Sequence, residues 1–207
     1  MIKRILKVRE QVQHTQYWQT ATSQRDMFST SKLYQEIRGG LDQMSWRKIF
    51  FTNYARPRAV FILWLTFRGR IKTKDRLIRY GINVDPRCVF CSEEETVDHL
   101  MFQCRITNGI WKNILGWIGY HRSPDHWMLE QIWLTAEANK KGWRRVLLKA
   151  VVAETVYAIW RMHNDVIFKQ HTLDDTITRK IKEVIALRCI GYRSLAKHIN
   201  IESLGII

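Results

Sequence analysis

Three of the chain's four cysteines lie close together, in the stretch CVFCSEEETVDHLMFQC that runs from Cys88 to Cys104. The spacing is Cys-x2-Cys-x7-His-x4-Cys, with His99 between the second and third cysteines. Two cysteines separated by two residues can direct both sulfurs at one ion from a tight turn, and a histidine and a cysteine beyond a short loop can complete a tetrahedron. Cys88, Cys91, His99 and Cys104 therefore predict one structural Zn²⁺ per chain, because four protein ligands leave no position for a reacting water.

Two other interpretations of this stretch stay open. The cysteines and His99 can simply be buried in a core, or His121 or His126 can replace His99 as the fourth ligand. Cys189 stands apart from the cluster and is predicted to be a small buried hydrophobe. A thiolate-rich site does not need the carboxylates of the same loop, which are therefore expected to face solvent. These carboxylates are Glu93, Glu94, Glu95 and Asp98.

The net charge of +15 is unevenly distributed. Residues 1–80 hold 17 Lys and Arg against 5 Asp and Glu, residues 81–139 hold 4 against 8, and residues 140–207 hold 13 against 6. The cysteine cluster thus lies in an acidic region between two basic ones. A strongly basic chain is attracted to polyanions, either nucleic acid or an anionic membrane surface, although such charge can also serve solubility alone.

Two basic segments are candidates for contact with phosphates. The first falls on a turn between two predicted helices, and its candidate contacts are Arg68, Arg70, Lys72 and Lys74. The second lies on the first turns of a long predicted helix and consists of Lys140, Lys141, Arg144, Arg145 and Lys149. Cations at a helix start oppose the helix macrodipole, so the second segment does not serve helix stability. The alternative for the first segment is a solvated loop with ordinary helix-end charges.

Hydrophobic periodicity predicts a mainly α protein, a helical domain with one short N-terminal β-hairpin and a Cys3His zinc knuckle. The hairpin is expected around residues 17–28. Eight helices are expected, the first ending at Gly39-Gly40 and the others within residues 45–54, 57–70, 73–81, 107–119, 125–138, 142–168 and 173–197. We predict three parts of the chain, namely a basic extension (1–16), the zinc-binding domain (17–135) and C-terminal helices packed on it (136–207).

The sequence also predicts the burial or capping role of particular side chains. The helix that Pro57 opens is apolar almost all round, which predicts a core helix. Thr73 is the expected N-cap of the next helix and Gly81 its C-terminal stop, with Leu77 and Ile78 facing inward. Most tryptophans lie on apolar stripes, which favours core packing over base stacking. They are Trp64, Trp111, Trp117, Trp143 and Trp160.

The cysteine stretch and its flanks resemble the zinc-binding domain found downstream of the reverse transcriptase in plant LINE-type (non-LTR) retrotransposons. That family pairs Cys-x2-Cys with a glutamate-rich loop and then an HL-F-C pattern, as in CVFCSEEETVDHLMFQC. The segments FSTSKLYQEIR, SWRKIF, RPRAVFILWLTFRGRIKTKDRL, NGIWKNIL and AIWRMHNDVIF are also similar to it. The resemblance covers residues 17–170 and implies a freestanding derivative of the retroelement module, either domesticated or a remnant.

Residues for catalysis are not evident in the sequence. A polymerase palm needs paired aspartates for two metal ions, whereas Asp174-Asp175 lies at a predicted helix start. We therefore expect no enzyme, but a zinc-stabilised module that binds RNA or DNA through its basic stripe. The alternative is a protein-interaction module, acting as a regulator, an adaptor or a toxin-like effector.

Targeting signals are weak. No stretch of 18 apolar residues free of charge predicts a membrane span, and no apolar run predicts a secretory signal. We expect an intracellular protein of the nucleus or cytoplasm. The basic, amphipathic start MIKRILKVREQVQ keeps a mitochondrial presequence open, with a plain surface helix as the alternative.

Overall fold

The structure is a computed structural model that describes residues 12–13, 15–16, 18–19, 29–38, 44–170 and 176–191. The chain divides into two compact units, residues 1–44 and residues 45–207. The predicted boundaries at residues 16/17 and 135/136 stay predictions. The described residues are mainly helical, which confirms the predicted fold class.

The first unit contains helix α1, Thr30–Arg38. Ser29 caps it, because its Oγ accepts a hydrogen bond of 3.4 Å from the backbone N–H of Lys32. Most of the predicted β-hairpin lies outside the described residues. Where the hairpin residues are described, at Trp18 and Gln19, they are helical, and the N–H of Gln19 donates to the carbonyl of Thr15 at 3.3 Å. The hairpin is therefore not supported.

The second unit contains seven α-helices and one turn of π-helix among its described residues. They are α2 (Arg47–Phe50), α3 (Pro57–Phe67), α4 (Lys74–Arg79), the π-helix (His99–Gln103), α5 (Arg105–Trp117), α6 (Trp127–Asn139), α7 (Trp143–Lys169) and α8 (Ile177–Ile190). Each α-helix lies where the sequence predicts one. The predicted continuation of α8 beyond residue 191 lies outside the described residues.

Helix α7 is the centre of this unit. Ten consecutive residues, 147–156, are buried, so the helix is covered on all sides over almost three turns. Helices α3, α5, α6 and α8 pack against it. The exposed faces of α7, which the protein-interaction alternative would use, are thus confined to its two ends.

Two expectations for α3 and α4 are wrong. Helix α3 is not buried all round, because Phe61 on its outer face is 56% exposed while Ala59 and Leu63 are buried. In α4, Ile78 is 43% exposed instead of facing inward. Gly81 does stop α4 as predicted, since it adopts a left-handed φ of 78° that favours glycine.

The helices were also compared with the requirements of a membrane span. None of those in the described ranges combines the length and the apolar character that a membrane span needs.

Candidate metal centre

The first two cysteines lie on a tight turn. The N–H of Cys88 donates to the carbonyl of Glu93 at 2.6 Å, and the N–H of Ser92 donates to the carbonyl of Cys88 at 3.0 Å. The N–H of Phe90 points at the Cys88 sulfur at 3.4 Å. Ser92 has a positive φ of 68°, which reverses the chain directly after Cys91. These contacts turn both sulfurs to the same side.

The other two residues are placed by the π-helix. The N–H of Cys104 donates to the carbonyl of His99 at 2.7 Å, which closes a turn of five residues. In an α-helix, residues five apart would point about 140° away from each other. The wider turn reduces this angle, and π-turns are frequent at functional sites for such reasons. Side chains from α5 hold the turn, because Trp111 Nε1 donates to the carbonyl of Met101 at 2.6 Å.

The four predicted ligands converge. One ligand atom from each of Cys88, Cys91, His99 and Cys104 lies within 4.8 Å of the other three. A tetrahedral Zn²⁺ with bonds of about 2.3 Å places its sulfurs about 3.8 Å apart, so the donor set and its spacing fit one zinc ion. All four residues are buried or partly buried, and none of the cysteines forms a disulfide. The predicted zinc site is confirmed as a Cys3His cluster.

The two buried cysteines affect each other's protonation. The hydrogen bond with Cys104, together with burial, raises the pKa of the Cys88 thiol. The same hydrogen bond lowers the pKa of Cys104. Metal binding deprotonates cysteine ligands, so an ion at this site would take the place of the thiol protons.

His99 is oriented by a carboxylate that we expected only to face solvent. Its Nε2 lies 3.0 Å from the Cys91 sulfur, and its Nδ1 lies 3.4 Å from a carboxylate oxygen of Glu93. Glu93 is 75% exposed at its side chain, yet it is in a position to fix the ring of His99. A carboxylate behind a ligating histidine is common in zinc sites, where it sets the tautomer.

Glu95 contradicts the expectation that the loop's acids face solvent. It is fully buried, its Oε2 lies 3.0 Å from His163 Nε2 on α7, and its Oε1 accepts from the backbone N–H of Lys74 at 3.0 Å. Glu95 therefore joins the knuckle, which comprises residues 86–104, to α7 and to the start of α4. His163 Nδ1 has no hydrogen-bond partner in the described part of the chain. No local signal in the sequence distinguishes Glu95 from the two glutamates before it.

Asp98 also forms hydrogen bonds within the protein. It accepts a hydrogen bond of 2.7 Å from the backbone N–H of Trp127 and thereby caps α6, and it lies 2.9 Å from His126 Nδ1. The hydrogen bond to Asp98 raises the pKa of His126. His126 and the exposed His121 lie outside the metal cluster, so His99 is the fourth ligand.

The predicted phosphate contacts fall into two groups. Of the nine candidates in the two basic segments, six are exposed, namely Arg68, Arg70, Lys72, Lys140, Lys141 and Arg144. Lys74 and Arg145 are partly buried, and Lys74 Nζ donates to the carbonyl of Arg87 at 2.5 Å. Lys149 is buried and donates to the carbonyl of Phe51 at 2.7 Å, so it does not belong to the second basic segment. The other eight stay predictions as nucleic-acid contacts.

The tryptophans are distributed largely as expected. Trp111 is buried, and Trp117, Trp143 and Trp160 pack against the core. Trp64 differs, because it is partly buried and its ring stacks on the exposed ring of Phe61. Cys189 is buried as predicted, and burial raises its pKa to about 11.

Comparison with known proteins relates the centre to a family model. No significant match was found among curated proteins or among solved structures. Residues 28–111 match the family model described as zinc-binding in reverse transcriptase, and this stretch contains all four residues of the cluster. An origin in a plant LINE-type element stays a prediction. Over residues 28–111, this chain is therefore similar to the zinc-binding domain associated with reverse transcriptases.

Proposed function

We propose that this protein is a non-catalytic, retrotransposon-derived module that binds nucleic acid through a basic surface beside a structural zinc site. The observation that carries the proposal is the charge around α3. Residues 43–74 contain eight Lys and Arg and no Asp or Glu. A surface of this kind attracts a polyanion and gains affinity by releasing its counterions.

The loop after α3 is built to direct cations outward. We call residues 68–73 the basic loop. Ile71 and Thr73 are buried, whereas Arg70 and Lys72, which alternate with them, are exposed. The apolar and polar anchors fix the loop, so the cations are presented at the surface without a large cost of ordering.

The zinc site supports the basic loop indirectly. Glu95 of the knuckle accepts from the N–H of Lys74 directly after the loop, and Lys74 Nζ donates to the carbonyl of Arg87 directly before Cys88. Zn²⁺ would supply a cross-link between the two halves of the knuckle and no reaction. The acidic knuckle itself is not expected to contact phosphate.

The proposal that the module is non-catalytic rests on the residues present. In the ranges that the structure describes, the Cys3His set is the group of three or more side chains that is arranged for a metal ion. Polymerase and nuclease reactions use two metal ions held by carboxylates. Primer-extension and nuclease assays with Mg²⁺ or Mn²⁺ should remain at background. Activity that disappears when one carboxylate is replaced would overturn this part of the proposal.

Fluorescence anisotropy with labelled single-stranded and duplex oligonucleotides, measured over a salt series, tests the binding. We expect affinity to fall with salt, with a log–log slope of about −0.7 for each phosphate contact on a single strand. The double variant Arg70→Glu/Lys72→Glu should bind more weakly and show a flatter slope.

The matched control is Lys112→Glu/Lys180→Glu, which removes the same charge from exposed positions on α5 and α8. Because both double variants change the net charge equally, only a specific contact surface makes them differ. The proposal fails if wild-type protein does not bind at low salt, or if the two double variants lose affinity equally.

A second candidate is a protein-interaction module, which the outer face of α6 favours. Met128, Leu129 and Ile132 are all exposed there, and Met128 and Ile132 border a groove with Ser45 and Trp46. Exposed apolar patches of this kind mark protein contacts. Failure of nucleic-acid binding, combined with self-association that Ile132→Asp abolishes, would favour this candidate.

A further inference from the structure

Helix α3 presents aromatic rings to solvent next to its arginines. Phe61 is 56% exposed and stacks on the partly buried Trp64, with ring centroids 6.0 Å apart and planes 23° apart. Helix geometry places Phe61 at the centre of the face opposite buried Ala59 and Leu63. Phe61 therefore lies on the outside of the helix, and Trp64 lies partly buried at the edge of the same face.

Arginines lie at both ends of this face. With 3.6 residues per turn, Arg58, Phe61, Trp64 and Arg68 fall within about 120° of the helix circumference. Both arginines are exposed. An exposed aromatic ring such as Phe61 would ordinarily favour aggregation, so its presence between two cations indicates a ligand that combines an apolar face with negative charge.

We propose that the outer face of α3 is a stacking platform for the bases of a single-stranded polynucleotide. The inference rests on the proposed function and specifies its ligand. Bases of a single strand would stack on Phe61 and Trp64, while Arg58 and Arg68 contact the phosphates on either side. Duplex DNA keeps its bases stacked on each other, so it would reach the arginines but not the rings.

The position of the platform agrees with the basic loop. Arg68 ends the face and also begins the loop that carries Arg70 and Lys72. A strand that follows the platform would thus pass directly onto the loop, and residues 58–74, which span both, contain no Asp or Glu. Alternation of rings and cations is typical of proteins that bind single strands without sequence preference.

The test compares Phe61 variants on defined ligands. Phe61→Leu keeps an apolar side chain of similar size and removes the aromatic face, whereas Phe61→Tyr keeps the face. Phe61 is mostly exposed, so neither variant is expected to unfold the protein, which thermal denaturation checks. The ligands are oligothymidylate, oligouridylate, a duplex, and an abasic strand with the same number of phosphates.

We expect Phe61→Leu to lose at least about fivefold affinity (about 1 kcal/mol) for oligothymidylate and oligouridylate. Phe61→Tyr should bind like the wild type. The salt slope should not change in Phe61→Leu because no charge is lost, whereas Arg58→Gln should reduce the slope by about 0.7. The duplex and the abasic strand should not distinguish Phe61→Leu from the wild type.

A control variant is Phe168→Leu, the same change at an exposed phenylalanine on α7. If wild-type protein binds no nucleic acid, the proposed function itself fails. If it binds and Phe61→Leu retains wild-type affinity for single strands, the platform is wrong while the proposed function stands. Equal losses in Phe61→Leu and Phe168→Leu, or a loss that extends to the abasic strand, would also overturn the platform.

Discussion

The knuckle, residues 86–104, and helix α7 contact each other, but different interactions hold them in place. The knuckle has three buried or partly buried thiols, a histidine and a fully buried carboxylate. Helix α7 has a run of ten buried residues, most of them apolar. Order in the knuckle would therefore depend on one shared ion in addition to buried apolar side chains such as Leu100 and Phe102, whereas order in α7 is spread over many contacts.

The contact between the two regions is polar. Glu95 of the knuckle meets His163 of α7, and the ring of Phe90 lies edge-on to the His163 ring at 6.2 Å. A polar pair at this depth specifies how the knuckle sits on the helix, because neither group tolerates another partner without losing its hydrogen bond. The metal site is thus local in its ligands, and Glu95 is one of several contacts that connect it to the surrounding helices.

Loss of a zinc ligand should have the largest effect on the free energy of unfolding. Structural zinc contributes about 10–16 kcal/mol in zinc-finger peptides, so Cys88→Ser should lower the free energy of unfolding by at least ~4 kcal/mol and abolish zinc binding. Metal analysis and thermal denaturation measure both quantities. Cys189→Ser is the control, because it removes a buried thiol that lies outside the cluster. Zinc retained at one ion per chain in Cys88→Ser would contradict the ligand assignment.

A substitution that creates a cavity beside α7 should lower the free energy of unfolding by less than the loss of a zinc ligand does. It should also leave zinc bound. Ile159 is completely buried, and Ile159→Ala should lower the free energy of unfolding by about 2–5 kcal/mol. Zinc content should remain at one ion per chain. Ile167→Ala on the same helix, at a position that is 37% exposed, should stay within about 1 kcal/mol of the wild type. Release of zinc in Ile159→Ala would show that the two regions are not stabilised separately.

Replacing the buried carboxylate of Glu95 should lower the free energy of unfolding by a smaller amount. Because Glu95 contacts His163, this change should affect both the knuckle and α7. Glu95→Gln keeps the shape but presents an amide to His163, so one buried hydrogen bond is lost or left unsatisfied. We expect a loss of about 1–3 kcal/mol in the free energy of unfolding, measured by urea denaturation. Glu94→Gln, at the exposed neighbouring position, should have no measurable effect. Equal stability of the two variants would show that the contact does not matter.

The last expected effect appears only as a pH dependence and concerns Lys149 of α7. Burial lowers the pKa of Lys149 from 10.5 to about 8. Between these values the unfolded chain binds more protons than the folded one, so the free energy of unfolding should rise with pH by about 2–3 kcal/mol. Lys149→Met should lack this rise, and the difference between the two pH profiles isolates it from other titrating groups. Parallel profiles between pH 8 and 10.5 would refute the prediction.

Three helix starts show why parts of this structure could not be predicted. Thr73 was the expected cap of α4, but its hydroxyl donates to Asp75 and the N–H of Lys74 is bound by Glu95. Glu154 on α7 likewise accepts from the N–H of Arg56 before α3, at 2.8 Å. Asp98 likewise accepts from the N–H of Trp127 at the start of α6. Each carboxylate is distant in sequence from the helix it caps, so local patterns contain no information about it.

The sequence by itself determined the metal ligands and the positions of the helices. Ligand spacing is a local property, and helices of this length are encoded by apolar periodicity and by breakers such as Pro57 and Gly81. Tertiary structure alone decided which carboxylates are buried, that Lys149 is inside, and that Phe61 is outside. These outcomes depend on which faces meet when helices pack, because a residue's burial is set by neighbours that the periodicity of its own segment does not specify.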